Sequence, residues 1–327
     1  MKILVVRFSS IGDVVLTTPI VRALKTQLNC ELHFITKKAF NGILENNPNI
    51  DKIFTIEKSI NEVVSELKTE KYDCVIDLHK NLRTFSLKRK LGCPSYSFPK
   101  LNLEKWLLVN FKRRTMPDKH VVDRYFETVI ALGVTNDFLP CEYHIQAHDE
   151  VNISDVFDLA PKSFVSVAIG AQFATKRMPL NKLQGIIQQI EQPIILVGGP
   201  SDKDLSEELV RSFTDKVIYT ACGNFNLSQS ASIVKQSAVL LTNDTGMMHI
   251  ASCFEVPTVS VWGNTVPELG MYPYFPSNKA LFSIHEVEGL SCRPCSKIGY
   301  NKCPKKHFNC MQLQDEKAIA EDVNTRF

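Results

Sequence analysis

Apolar residues along this 327-residue chain fall into short unbroken runs, separated by stretches where they recur every three or four positions. Unbroken runs of four to eight residues suit strands buried on both faces, and the longer spacing suits amphipathic helices. In the first half the runs fall at residues 2–8, 31–36, 52–56 and 74–78, with helical spacing at 14–28, 59–69 and 121–132. In the second half strands are predicted at 164–169, 193–197, 216–220, 239–242 and 258–262, again with helical segments between them. This alternation predicts an α/β protein. The polar stretch 146–162, which holds Asp149, Glu150, Asp155 and Pro161, is the predicted linker, and it divides the chain into domains 1–155 and 156–327. Each half opens with a buried-looking strand that runs into a small-residue loop, ILVVRFSSIGD and VSVAIGAQFATK. Two similar open sheets would carry their ligands at the carboxyl ends of their strands.

Length and charge narrow the classes. The chain is long enough for two domains, each with its own core. Lys and Arg total 38 against 35 Asp and Glu, a formal charge of +3, which argues against a dedicated nucleic-acid binder. The apolar run after Lys2 is broken at Arg7, too early for a signal peptide, and no stretch reaches the roughly 18–20 apolar residues of a membrane span. The expectation is a cytoplasmic protein with at most peripheral contact at the inner membrane. Six of the ten cysteines, Cys30, Cys74, Cys93, Cys141, Cys222 and Cys253, are scattered and read as reduced, mostly buried hydrophobes.

The chemistry-bearing residues cluster at strand ends. GxGxxG after the first strand and GxxxxGK(S/T) are both missing, which removes the main support for dehydrogenase and P-loop readings. Ser9, Ser10, Gly12 and Asp13 follow the first strand directly, where Gly12 allows a tight turn, the exposed amides can hold an anion or a sugar hydroxyl, and Asp13 reads as a helix cap. Residues 239–243 lead into Asp244, Thr245 and Gly246 at a helix start, with His249 nearby. Helix-start amides and a threonine hydroxyl make a phosphate cradle; a capped helix with a packed histidine is the plainer alternative. A further strand ends in Gly263, Asn264 and Thr265, and Lys176 with Arg177 follows another strand end, where a cation can meet a diphosphate.

Taken together, KILVVRFSSIGDVVLTTPIVRALK, GAQFATKRMP and LTNDTGMMHIASCFEVPTVSVWGNTVPE resemble the heptosyltransferases of bacterial lipopolysaccharide core assembly (glycosyltransferase family 9) in content, order and spacing. The D-T-G-x-x-H block with W-G-x-T-x-P is the most specific part. The resemblance implies a GT-B architecture, two Rossmann-like domains with a cleft between them, the acceptor held by the first and a nucleotide-sugar donor by the second. It implies an inverting, metal-independent transfer of a sugar, a heptose from ADP-heptose, to a lipid-linked lipopolysaccharide saccharide. Asp13 matches the family's general base, and Lys176, Asp244, Thr245, Gly246 and His249 match its donor site, to which Gly263 and Thr265 are added. The run GGPSDKD offers Asp202 or Asp204, without a glutamate, for the ribose contact, and Asp202 is taken as the donor residue. On the acceptor side stand Ser9, Ser10, Gly12, His79, Asn81 and Arg83, while Lys88, Arg89 and Lys90 read as a solvated helix face.

Two motifs lie outside this set. Residues 99–120 mix Trp106, Leu107, Leu108 and Phe111 with Lys105, Lys112, Arg113 and Arg114, which suits an anionic membrane surface or a core-packing segment with a charged rim. Cys292, Cys295, Cys303 and Cys310, spaced C-x2-C-x7-C-x6-C with His307 close by, read as a structural zinc cluster or as reduced or redox-active thiols away from catalysis. No catalytic cofactor is expected. Two other classes stay open: a sugar-nucleotide epimerase of similar fold, and a non-catalytic zinc-bearing nucleic-acid binder.

Overall fold

The computed structural model describes residues 1–327, which divide into two compact units. The first comprises Met1–Leu101 and Lys119–His144, the second Asn102–Asp118 and Ile145–Phe327.

The first unit holds five strands, β1 (Lys2–Val6), β2 (Glu31–Lys37), β3 (Lys52–Ile56), β4 (Cys74–Asp77) and β5 (Ser95–Ser97), in the order β3-β2-β1-β4-β5. All neighbours are parallel. The second unit repeats the plan with β6 (Val165–Ala168), β7 (Ile194–Val197), β8 (Ile218–Thr220), β9 (Val239–Asn243), β10 (Thr258–Trp262) and β11 (Phe282–Glu286), in the order β11-β10-β9-β6-β7-β8. Its pairs are parallel too. Both sheets have Rossmann-like order, which reverses between β1 and β4 and between β6 and β9. Open sheets of this kind take ligands outside the carboxyl ends of the strands at those points.

The unbroken apolar runs have a simple cause. In the second unit Val165, Val167, Ile194, Leu196, Val239 and Leu241 pack on one face of the sheet. Their alternates Ala168, Ile195, Val197 and Leu240 pack on the other. Both faces are buried, so both sets of positions are mainly apolar, with small hydroxyl residues such as Ser166, Thr242 and Ser260 among them. The C-terminal helix Glu316–Arg326 closes the first face with Ile319, Ala320 and Val323.

Several expectations are corrected. The helical pattern at 14–28 forms two helices, Ile11–Val15 and Thr18–Leu28, because Pro19 cannot donate to a continuing helix. The Thr17 and Thr18 hydroxyls bond back to the Val14 and Val15 carbonyls at the break. The stretches 59–69 and 121–132 are likewise each a 3-10 turn plus a short helix. Strands β5 (SYS) and β11 (FSIHE) lie at sheet edges, lack buried apolar runs, and escape the pattern.

The domain boundary also moves. Residues 146–155, expected as linker at the end of the first domain, belong to the second unit: Val151, Ile153 and Phe157 pack with Phe164, Ile233 and Leu240 in its core. Residues 102–118 join the second unit as well, since Leu108 of the helix Asn102–Phe111 packs against Val266 and Leu269.

Candidate active site

In the first unit the site starts from the loop between β1 and the helix Ile11–Val15. Arg7 leaves the strand still in the sheet, its amide donating to the Ile35 carbonyl at 3.2 Å. Its buried side chain turns back across the loop, donating to the Ser9 carbonyl at 2.8 Å and the Leu78 carbonyl at 2.5 Å. The remaining terminal nitrogen meets Asp13 Oδ1 at 2.5 Å. Asp13 Oδ2 accepts from the Ser10 hydroxyl at 2.8 Å and the Ser10 amide at 3.2 Å. The helix cap is Ser10, and Asp13 is the third-residue partner that closes its capping box, which corrects the reading of Asp13 as the cap itself. Asp13 is also clamped by a buried cation, with its side chain about a quarter exposed. Burial opposes the Arg7 charge, but Asp13, Tyr125 and Asp77 together outweigh it, so the guanidinium pKa is raised.

Asp77, at the end of β4, is fully buried and accepts from the His79 amide at 3.1 Å and the Lys80 amide at 2.7 Å. Lys88 meets it at 2.8 Å, which corrects the reading of residues 88–90 as a wholly solvated face. Desolvation works to raise the Asp77 pKa, but the Lys88 ammonium and the Lys80 amide hold it down. His79 packs edge-on against Phe8, ring centroids 5.2 Å apart. Burial and the nearby Arg7 and Lys100 charges push its pKa down to about 4, so the imidazole is neutral at physiological pH. Its Nδ1 is buried without a protein partner. Asn81 spends its carbonyl oxygen on capping the helix Leu82–Leu91, accepting from the Thr84 amide at 3.0 Å. Arg83 is exposed on that helix, and Ser9 and Ser10 are half-buried beside buried Gly12.

In the second unit Lys176, Asp244 and Thr265 converge. Lys176 ends a 3-10 turn after β6 and places Nζ 2.5 Å from Asp244 Oδ2. The Thr265 hydroxyl donates to the same oxygen at 2.7 Å. Thr245 caps the helix Gly246–Cys253, but its side chain accepts no first-turn amide and lies 3.3 Å from the Thr242 hydroxyl instead. The helix start is thus left without side-chain capping, as an anion site requires. His249 is buried in this helix, at 3% exposure. Gly263 has no room for a side chain, because a Cβ would stand 2.7 Å from Met311 Cε and 2.9 Å from the Thr175 carbonyl.

Of the two aspartates offered for the ribose, Asp202 stands at the strand ends and Asp204 is exposed on the following helix. Asp202 is almost fully buried, accepts from the Gly199 amide at 2.9 Å and pairs with Arg177 at 3.0 Å. Gly170 and Gly198 leave space for its carboxylate.

The C-terminal thiols lie near one another, close enough that, beyond the larger effect of burial, Cys295, Cys303 and Cys292 raise the Cys310 thiol pKa, but their sulfurs do not come within mutual ligand distance. The one set of three His, Cys, Asp or Glu ligand atoms within 4.8 Å of one another is Glu31, His33 and Glu70, whose carboxylates are met by Lys2 and Lys52. Cys292 lies 4.0 Å from His307, Cys295 Sγ donates to the Cys292 carbonyl at 3.0 Å, and Cys310 is buried in the core. The residues as arranged do not fit a tetrahedral zinc centre.

The family model for glycosyltransferase family 9 (heptosyltransferase) matches residues 60–299. The chain belongs to that family. Relatives of this family 9 glycosyltransferase include lipopolysaccharide heptosyltransferase 1 of Campylobacter coli, 22% identical over 81% of this chain and 84% of the relative. Among solved structures, a family 9 glycosyltransferase from Veillonella parvula is similar with a TM-score of 0.78 at 22% identity, covering 99% and 96% of the two chains. The E. coli ADP-heptose lipopolysaccharide heptosyltransferase II follows with a TM-score of 0.75 at 17% identity, covering 100% and 98%. The fold is therefore GT-B, and the enzyme is a glycosyltransferase of the heptosyltransferase family of lipopolysaccharide biosynthesis. Membership displaces the epimerase and nucleic-acid-binding alternatives. No helix is long and apolar enough to cross a membrane.

Among the functional candidates, sequence reasoning missed Arg7, Asp77 and Arg293. Arg7 bonds the distant Leu78 carbonyl, Asp77 accepts from the His79 and Lys80 amides and pairs with Lys88, and Arg293 bonds the Gly263 and Thr265 carbonyls; no sequence motif announces these pairings.

Proposed function

We propose that this enzyme transfers a heptose from ADP-heptose to a saccharide of the lipopolysaccharide core, by single displacement with inversion and without a metal ion. The observation that carries the reading is the Asp13 carboxylate, fixed by Arg7 and Ser10 at the mouth of the first sheet. An acceptor hydroxyl is a poor nucleophile at neutral pH. A carboxylate that takes its proton as the bond to the anomeric carbon forms removes that barrier. As the glycosidic bond breaks, negative charge grows on the departing diphosphate. Lys176 and the uncapped start of the helix Gly246–Cys253 supply the compensating charge, which is why no divalent cation is needed. Asp202, Gly263 and Thr265 complete the donor site. Ser9, Ser10, Gly12, neutral His79, Asn81 and Arg83 form the acceptor side.

The acceptor is lipid-linked, and the enzyme meets it at the membrane surface through the helix Asn102–Phe111. Leu103, Trp106 and Phe111 are 64%, 52% and 58% exposed on that helix, and exposed Lys112, Arg113 and Arg114 follow it.

Incubation with ADP-heptose and a truncated core acceptor, followed by NMR of the new linkage, tests the reading. The expected result is product of inverted anomeric configuration, formed equally well in EDTA. A retained configuration, a strict magnesium requirement, or turnover only with another nucleotide sugar overturns it.

A further inference from the structure

Arg293 lies between the cysteines of the C-x-x-C turn, outside every motif assigned to the site. Its side chain is 6% exposed, and all its nitrogens are engaged. Nε donates to the Gly263 carbonyl at 2.6 Å, and one terminal nitrogen to the Val287 carbonyl at 2.9 Å. The other reaches the Thr265 carbonyl at 3.0 Å, the Trp262 carbonyl at 3.5 Å and the Glu286 carboxylate at 2.8 Å. One guanidinium thus gathers the carbonyls that follow β10 and ties them to the end of β11.

The same turn reaches the loop a second time, where the Cys295 amide donates to the Asn264 carbonyl at 3.0 Å. Carbonyls at a strand end have no ladder partner of their own, so these donors decide where residues 263–265 sit. Their position matters because the Thr265 hydroxyl bonds Asp244 Oδ2, the atom that also holds Lys176. A shift of the loop moves Thr265 from Asp244 and leaves the carboxylate that holds Lys176 less constrained.

We infer that Arg293 is a positioning residue for the donor site: it fixes the loop 263–265, and through Thr265 and Asp244 the Lys176 ammonium, and it couples that loop to the C-x-x-C turn. The inference rests on the donor-site reading above. Because it is buried, Arg293 acts through the loop and not by touching the nucleotide. Lysine cannot replace it, since a single ammonium lacks the planar fork that spans four carbonyls and a carboxylate. The coupling runs both ways: a nucleotide that locks the loop also locks the turn, and so slows attack on its thiols.

The test uses the full chain, with ADP as the probe. Wild-type protein, R293K and R293A are compared by calorimetric Kd for ADP, by KM for donor and acceptor separately, and by thermal melting. The expected result is an ADP Kd at least 10-fold weaker in R293A and intermediate in R293K, with donor KM raised and acceptor KM unchanged. A merely structural arginine lowers the melting temperature and leaves the Kd of the folded protein alone; that outcome overturns the inference. Should R293A not fold, R293K and a wild-type measurement decide. Saturating ADP is expected to slow iodoacetamide alkylation of Cys292 and Cys295 several-fold in the wild type, with the protection reduced in R293K. Equal alkylation rates with and without bound ADP overturn the coupling. If the wild type itself binds no ADP, the donor reading fails instead, which separates the two.

Discussion

Thr265 and Lys176 meet on a single oxygen of Asp244, the hydroxyl at 2.7 Å and the ammonium at 2.5 Å. Asp244 is 8% exposed, so the pair is largely removed from water. Removing one partner of such a pair leaves the other charge uncompensated, which costs far more than a surface ion pair. Asp244→Ala is expected to lower stability by about 3–5 kcal/mol and to weaken ADP binding, because Lys176 loses its anchor. Lys176→Ala is expected to weaken ADP binding at least 10-fold. Calorimetric ADP affinity in Lys176→Ala equal to wild type would remove Lys176 from the donor site.

His79 gives the first unit a pH dependence whose sign follows from its lowered pKa. The folded imidazole titrates near 4, pushed down by burial and by Arg7 and Lys100, against the opposing pull of Asp13 and Asp77. The unfolded chain binds the proton near pH 6.5. Between those values the unfolded state holds more protons, so stability falls as the pH drops through 6.5 and levels off below 4. His79→Gln lacks this contribution, and its melting temperature is expected to fall less between pH 7.5 and 5 than that of the wild type. Parallel melting curves across that range would show that His79 does not titrate this way.

How much of this was legible in the chain depended on how local the cause was. Strands buried on both faces announce themselves as apolar runs, and the edge strands β3 and β8 keep enough apolar residues to be read with them, while the edge strands β5 and β11, without a buried run, could not be. Asp13, Lys176 and Asp244 stand at strand ends, where the change from apolar run to polar loop marks them. Arg7 and Arg293 are different. Arg7 looks like the end of a strand and Arg293 like a loop cation, yet their bonds run to Leu78, and to Gly263 and Thr265. Only the folded chain brings those carbonyls near. The same limit applied to residues 146–155, whose polarity read as linker although Val151 and Ile153 are buried in the second core.

The helix Asn102–Phe111 carries a prediction about where the enzyme works. Leu108 packs inward while Trp106 and Phe111 stack edge-on, ring centroids 5.1 Å apart, on its exposed side. Aromatic side chains beside a cationic end suit the interface of an anionic bilayer. The protein is expected to co-sediment with vesicles containing phosphatidylglycerol and not with pure phosphatidylcholine, less so as salt rises. The pair Trp106→Ala and Phe111→Ala is expected to reduce this several-fold while turnover of a water-soluble acceptor is unchanged. Equal binding to both vesicle types, or none to either, would remove the membrane role from this helix.

The proposed mechanism turns on Asp13, and the two roles it would have can be separated. As the capping-box partner it needs one oxygen that accepts from Ser10; as a base it needs a carboxylate. Asp13→Asn keeps an acceptor for Ser10 but abolishes the negative charge that faces Arg7. Arg7 is then a buried cation without its partner, so some loss of stability is expected from the ion pair alone. Activity must therefore be compared at a temperature where both proteins are fully folded. Under those conditions a residue that only closes the capping box costs little turnover, because asparagine keeps an oxygen to accept from Ser10. A base costs kcat by roughly 100-fold or more, with ADP affinity nearly unchanged, because the proton has nowhere to go in the transition state. The double variant Arg7→Met with Asp13→Asn removes the stranded charge and is expected to recover stability without recovering kcat. If turnover returns with stability, Asp13 serves only to neutralise Arg7, and the proton of the acceptor hydroxyl leaves by another route.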